Sequence, residues 1–408
     1  MKDFLIFALK PVCYNSYLYF ANALADALKA CGHTVEIFSA QLPDGRQTKP
    51  HTLSAFPDSS LFDSLEELIG RSFDAIIDFN SELPRLKMED GSYFLDQINA
   101  PFYNIILDHP LYHHDTLKQR ITRFHILCLD ENHKNYIYDC YPHISSAHVF
   151  PMTGEDIAPS DPSYPKKHLD ILFSGTYTDF RQIEDSIETC PSFLGTLTRQ
   201  LISVMQSDPS LTQEAALGQL LPSLEEAEII EETFPLHMQA CFLCDSYLRA
   251  WKREQLLLHL AKDNLPLTLC GNGWNKSPLA GFPQIRIIED TPFMDTFSLF
   301  RQSKITLNLM PEFKRGAHDR IYSAMLNHSL CLTDASSYLT RQFQDRRELL
   351  FYDTQNLENL SNCIQNLLSS PELTEEISQT GYFCAKENHS WLARAVSLAD
   401  IVTAQIAR

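Results

Sequence analysis

Short runs of consecutive apolar residues recur along this chain, separated by longer stretches whose apolar positions return every three or four residues. The first pattern reads as a strand buried on both faces, the second as an amphipathic helix. Residues 4–9 form the first strand and 10–16 a loop. Over 17–31, Leu18, Ala21, Leu24, Ala25 and Leu28 keep the helical period, with Asn15 or Ser16 to cap the start and Gly32 the end. A second strand alternates over 34–39, and others are predicted at 75–79, 102–107, 125–129 and 148–150. A segment rich in Pro, Ser, Asp and Lys (151–167) then reads as a linker. Beyond it strands are predicted at 169–173, 267–270, 284–288, 305–309, 330–333 and 349–352. A helical block over about 182–262 interrupts this second series, and an amphipathic helix over 391–408 closes the chain.

Short apolar strands alternating with helices predict an α/β protein with doubly wound parallel sheets. The expected division is a Rossmann-like domain over 1–155, a second over 166–385 carrying the helical insertion, and a closing helix over 386–408 that packs back toward the first domain. Ligands of such sheets bind at the carboxyl ends of the strands, so both halves are expected to line a cleft. The opening β-α-β unit lacks G-x-G-x-x-G, which argues against a tightly bound NAD or FAD there.

The chain's 408 residues suffice for two cores, and 44% hydrophobic with 21% charged residues is ordinary for a globular enzyme. A net charge of −19 disfavours nucleic acid and anionic membranes as partners. No apolar run approaches the length of a secretory signal or a membrane span. Eleven scattered cysteines predict reduced, mostly buried thiols and a cytoplasmic setting. Cys241 and Cys244 form the only C-x-x-C, with no second pair at zinc spacing; a structural zinc site needs four ligands, so burial is the expected role.

Residues 304–335 carry the densest signal: an apolar strand, a polar loop with Lys314, Arg315 and Gly316, a helix opening near His318, Asp319 and Arg320, and a strand ending in Asp334. The start of that helix offers unpaired N–H groups and a positive dipole end that favour a phosphate. Arg320, Ser323 and Asn327 share one helix face. Arg320 is suited either to grip a pyrophosphate or to make an ordinary ion pair.

The second half resembles the CgeB-like (spore-maturation-type) branch of the GT-B glycosyltransferases. The matching segments occur in order: FSGTYTDFR (173–181), LCGNGW (269–274), SKITLNLMP (303–311), RGAHDRIYSAM (315–325), LCLTD (330–334), RELLFYD (347–353) and ENHSW (387–391). The first half resembles the family more loosely, through its opening unit and LDHPLYH (107–113). Asn327 and His328 stand where such families often place a glycine, which leaves that loop's geometry open. The resemblance implies a GT-B fold and transfer of a sugar from a nucleoside diphosphate, without a tightly bound metal or cofactor. The acceptor, a protein, a glycan or a small metabolite, stays unidentified. Without a metal, the departing diphosphate must be met by fixed positive groups and helix dipoles.

On this reading His318, Arg320 and Gly316 are donor contacts, with Asp319 orienting Arg320 or meeting a hydroxyl, and Ser323 beside them. Gly175, Thr176 and Arg181 touch the diphosphate or form a structural turn. Gly271, Asn272, Gly273 and Trp274 admit a base or ribose, the indole otherwise packing in the core. Asn308 needs a partner for its amide, either a ligand or the adjacent loop. Asp108, His109 and Glu82 are candidate bases for the acceptor. The alternatives are a helix cap for Asp108 and a backbone bond for His109. His109, His113 and His114 lack a completing ligand for zinc. His389 and Trp391 either face the donor or anchor the closing helix. Two rival functions share the architecture: a nucleotide-sugar epimerase or hydrolase, and a two-domain binding protein without turnover.

Overall fold

A computed structural model describes residues 1–9, 16–39, 64–223 and 233–406. The chain divides into two compact units, Met1–Phe150 with Trp391–Arg408, and Pro151–Ser390. The boundaries therefore fall at 150/151 and 390/391, where the sequence suggested 155, 166 and 386.

The N-terminal unit is built on six parallel strands: β1 (Asp3–Ala8), β2 (Thr34–Ser39), β3 (Ala75–Phe79), β4 (Phe102–Ile106), β5 (Phe124–Cys128) and β6 (Ser146–Val149). Their order in the sheet is β2-β1-β3-β4-β5-β6. Strands β3, β4 and β5 are buried at every residue, as continuous apolar runs covered on both faces must be. The helix Tyr17–Ala30 ends in a tight turn at Gly32 (φ 84°), where the His33 N–H returns to the Leu28 carbonyl. The expected loop over 10–16, Asn15 included, lies outside the described residues apart from Ser16, whose side chain makes no cap hydrogen bond. Helix Trp391–Ile406 packs on Tyr17–Ala30: the Trp391 indole donates to the Tyr19 hydroxyl at 2.8 Å and meets the Phe20 ring at 6.1 Å. Trp391 is thus an anchor of the closing helix.

The C-terminal unit carries β7 (Leu169–Ser174), β8 (Leu267–Cys270), β9 (Arg286–Ile288), β10 (Ser303–Leu307), β11 (Leu330–Asp334) and β12 (Leu350–Tyr352), all parallel, in the order β12-β11-β10-β7-β8-β9. Ile305 pairs with Leu330 on one side and Ile171 on the other, so the apolar runs form one continuous core sheet. Helices Phe180–Glu188, Ser192–Ser207, Gln213–Leu220, Phe234–Ala240 and Phe242–Lys262 lie between β7 and β8, where the insertion was predicted. The helix Pro371–Asn388 belongs to this unit because Gly381 sits against the Glu348 carbonyl and Tyr382 stacks on His328, centroids 3.8 Å apart. His389, next in line, is buried against Tyr322 and Phe343, so the closing helix starts only at Trp391.

His328 resolves the departure noted in the sequence. It takes the left-handed conformation (φ 56°) usual for glycine at a helix end, and its buried ring offsets the strain by stacking on Tyr382. The ten cysteines that fall among the described residues are all free thiols. Among those residues no helix is long and apolar enough to cross a membrane.

Candidate functional site

In the C-terminal sheet β7 and β10 are neighbours at the centre, with β8 and β9 on one side and β11 and β12 on the other. Chain direction along the sheet reverses between them, which opens a crevice at their carboxyl ends, the place where doubly wound sheets bind ligands.

The loops leaving β7 and β8 are fastened backbone to backbone. The Gly175 N–H donates to the Cys270 carbonyl at 2.8 Å, and the Tyr177 N–H to the Asn272 carbonyl at 2.9 Å. Gly271 (φ 131°) is required by this approach, since a Cβ there would lie 2.6 Å from the Gly175 oxygen. The Trp274 indole N–H donates to that same oxygen at 2.7 Å, while its ring, fully buried, packs on Phe173 and Tyr177. Trp274 is therefore a core anchor for the loop, with no face open to a ribose or base. Asn272 is exposed, and its side-chain oxygen accepts from the Asp290 N–H at 2.9 Å. Glu289 accepts from the Gly273 and Asn275 N–H groups at 2.8 and 3.3 Å, fixing the rest of the turn.

Two guanidinium groups converge on Gly175. A Cβ at that position would lie 3.8 Å from Arg320 Nη1 and 3.9 Å from Arg253 Cζ. Arg253 donates to the Thr176 carbonyl and lies over the Phe173 ring, 5.8 Å from its centroid. Arg320 is half-buried. Its Nη1 is 3.5 Å from Asn308 Oδ1, and its Nη2 is 3.0 Å from His318 Nε2. Asn308 is fully buried, and its amide donates to Thr333 Oγ1 at 3.0 Å, so the adjacent strand supplies the partner its amide needed.

A second charged group lies at the ends of β10 and β11. Burial pulls the Lys252 ammonium down to about 8, with Lys314 acting the same way and Asp334 and Glu312 opposing. Burial pushes the Asp334 carboxyl up to about 7, against hydrogen bonds from the Met310 N–H. One carboxylate oxygen of Glu312, Oε2, is buried without a hydrogen-bond partner among the described residues.

Three expected donor contacts have other duties. Arg181 forms a two-pronged ion pair with Glu254, at 2.6 and 3.1 Å, and bonds Asp179 at 2.9 Å. Its guanidinium is thereby held by a fully buried carboxylate. Ser323 is buried under Gly154, whose Cβ would sit 2.2 Å from Ser323 Oγ, and the next turn's Asn327 donates to the Glu155 carbonyl at 2.7 Å. Ser323 and Asn327 are thus engaged by residues 154–155, which leaves Arg320 as the residue of that face free to meet a ligand. Gly316 is buried, its carbonyl accepting from Ser336 Oγ at 2.6 Å.

In the N-terminal unit Asp108 follows β4 and accepts from Asn80 Nδ2 at 3.2 Å. Asn80, in the left-handed region (φ 47°), also accepts from the Leu107 N–H at 2.8 Å, tying the loops after β3 and β4 together. His109 caps the turn Pro110–His113, Nδ1 accepting from the Leu111 N–H at 3.0 Å, with its ring against His133 and Tyr136. Glu82 is exposed, 3.7 Å from Arg85. Burial, then His109 and His113, hold the His133 imidazole well below its ordinary pKa, hence neutral. Among the described residues no three His, Cys, Asp or Glu side chains are grouped to hold a metal ion.

Sequence reasoning missed Arg253 and Lys252. Both lie inside the run WKREQ of Phe242–Lys262, read only as part of an inserted helical block. The available signal was that this helix runs directly into β8, making it the crossover onto the sheet rather than a detachable insertion.

A family model described as glycosyl transferase-like matches residues 250–400, a segment that holds Lys252, Arg253, His318 and Arg320. No curated protein matches the sequence. Among solved structures, a glycosyltransferase from Rickettsia africae ESF-5 is similar, with a TM-score of 0.55 at 10% identity over 98% of this chain and 97% of that one. An α-glucosyltransferase in complex with UDP-glucose and DNA containing an abasic site reaches 0.54 at 13% identity over 98% and 99%. TarM from S. aureus, in a complex that includes UDP, gives 0.47 at 10% identity over 83% of this chain; the present chain spans only 57% of that protein. Two six-stranded parallel sheets with flanking helices and these likenesses make the fold GT-B, with a glycosyl transferase-like segment in its C-terminal half.

Proposed function

We propose that this chain is a glycosyltransferase that moves a sugar from a nucleoside-diphosphate donor to an acceptor on a protein, a glycan or a small metabolite. The carrying observation is the convergence of Arg320 and Arg253 on Gly175 at the crevice between β7 and β10. When the glycosidic bond to the donor breaks, negative charge grows on the departing diphosphate. Fixed cations in a partly desolvated crevice stabilise that charge more than they stabilise the intact donor, which is what accelerates the step. Arg320 is the main phosphate contact in this reading, with Arg253, the Thr176 backbone N–H and the dipole of helix Asp319–Leu326 adding to it. No resident metal ion is required by it. Asp108 is the proposed base for the acceptor hydroxyl. The net charge of −19 favours acceptors other than nucleic acid. The ordered motifs over 173–391 support a place in the CgeB-like branch.

The test is a thermal-shift and calorimetric panel of UDP, GDP and ADP with their common sugar conjugates, on the native chain and on Arg320→Ala. A donor raises the melting temperature by mass action. Loss of hydrogen bonds to a charged group costs about 1.5–3 kcal/mol, so Arg320→Ala should bind about 10- to 150-fold more weakly. No nucleotide binding to the native chain, or equal binding to the variant, would refute the reading. Release of nucleoside diphosphate that never depends on an added acceptor would indicate hydrolysis instead.

A further inference from the structure

The Arg320 side chain is held from two directions. Nη1 faces Asn308 Oδ1 at 3.5 Å, and Nη2 faces His318 Nε2 at 3.0 Å. On the far edge of that imidazole, Nδ1 lies 2.5 Å from Asp319 Oδ1, and the Arg320 backbone N–H also points at it, from 3.2 Å, as the helix cap. A neutral imidazole has one donor and one acceptor nitrogen. Nδ1 cannot both accept from the backbone and donate to the carboxylate. The shorter, charged contact calls for the proton on Nδ1 at the expense of the longer cap, which leaves the Nε2 lone pair to receive the guanidinium N–H. Burial works to raise the Asp319 carboxyl, but His318 and Arg320 outweigh it and hold the group below its ordinary pKa, so it is ionised and able to fix that tautomer.

We infer that His318 and Asp319 are positioning residues: a carboxylate–imidazole relay that fixes the Arg320 guanidinium at the crevice, rather than donor contacts in their own right. The inference rests on the donor reading of Arg320 given above. The relay has a physical use. An arginine side chain carries about 2 kcal/mol of rotamer entropy, and a group ordered before the ligand arrives does not lose that entropy on binding. Nη1, the atom nearest Gly175, keeps N–H capacity for an anion because its only hydrogen-bond contact among the described residues is the long one to Asn308.

The test measures affinity by calorimetry for whichever of UDP, GDP and ADP binds the native chain, and for inorganic pyrophosphate, alongside unliganded melting temperatures. The variants are Arg320→Ala, His318→Leu, His318→Gln, Asp319→Ala and the double variant His318→Gln/Asp319→Ala. His318→Leu and Asp319→Ala should each weaken both probes about tenfold, less than Arg320→Ala does. His318→Gln should recover most of the affinity, since its amide oxygen reaches Nη2 without needing a tautomer set from behind. In that background Asp319→Ala should add no further loss, a non-additivity that general destabilisation does not produce. Should the leucine variant fail to fold, the glutamine pair carries the same test. Weakening by Arg320→Ala with unchanged affinity in His318→Leu overturns the relay alone, as does additive loss in the double variant. Unchanged affinity in Arg320→Ala overturns the donor reading and the relay together.

Discussion

Arg181→Ala separates a structural ion pair from a ligand contact. Glu254 is fully buried and receives three hydrogen bonds, two from Arg181 at 2.6 and 3.1 Å and one from the Tyr177 hydroxyl at 2.8 Å. Among the described residues, the substitution leaves the carboxylate with Tyr177 alone. Breaking a buried pair from one side costs about 3–5 kcal/mol, whereas exposed pairs are worth about 0–1 kcal/mol. The Arg181 side chain is 50% exposed, so water reaches the vacated space and part of the charge is resolvated. About 2–3 kcal/mol is therefore expected, between the two limits. In a Glu254→Gln background the same substitution should cost about 1 kcal/mol, because no ion is stranded. Urea unfolding followed by tryptophan fluorescence measures this, since two of the three tryptophans, Trp251 and Trp274, lie in the C-terminal unit. The double variant should bind nucleoside diphosphate within about twofold of the native chain, well inside the tenfold that 1.4 kcal/mol represents. A cost for Arg181→Ala below about 0.5 kcal/mol, the scatter of ordinary surface changes, would sink the energetic argument. A large loss of nucleotide affinity in the double variant would return Arg181 to the donor site.

Three further outcomes are expected. Gly271→Ala places a Cβ 2.6 Å from the Gly175 oxygen at φ 131°, so it should separate the two loops and lower both melting temperature and donor affinity; unchanged values would show that the approach is not needed. Asp334, raised from 3.8 to about 7 chiefly by burial, keeps its proton when folded at pH values where the unfolded chain has lost it. It therefore detracts from stability increasingly as pH rises from about 4 to 7, by at most about 4 kcal/mol. Asp334→Asn should accordingly gain stability over the native chain at pH 8 and little at pH 4, as read from urea midpoints at the two values. Asp108→Asn preserves an acceptor for Asn80 Nδ2 but cannot take a proton. It should leave donor affinity within about twofold and lower kcat by about 100-fold or more, the usual contribution of a general base; an unchanged kcat would remove Asp108 from that role.

Local pattern alone was enough to locate the strands, while helices such as Phe293–Gln302, Leu357–Ser369 and Pro371–Asn388 were not assigned from it. Apolar runs such as 75–79 or 169–173 have to be buried on both faces, and that demand is written in the residues themselves. The segment 304–335 was legible for the same reason, its strand, basic loop and helix start being contiguous in sequence. What each polar side chain does there was not. Arg181 and Arg320 look alike in sequence, each placed near a strand end. Glu254, more than seventy positions from Arg181, engages the first, while His318 and Asn308 hold the second at the crevice. Ser323 shares a helix face with Arg320, but the backbone of Gly154 covers it. Arg253 reached the crevice only because the crossover helix lies beside β7. Burial of apolar runs depends on neighbours along the chain, so the sequence by itself determined the strands and the sheet class. The partner of a charged group depends on which distant segment folding brings within about 3 Å, and only the tertiary structure decided that.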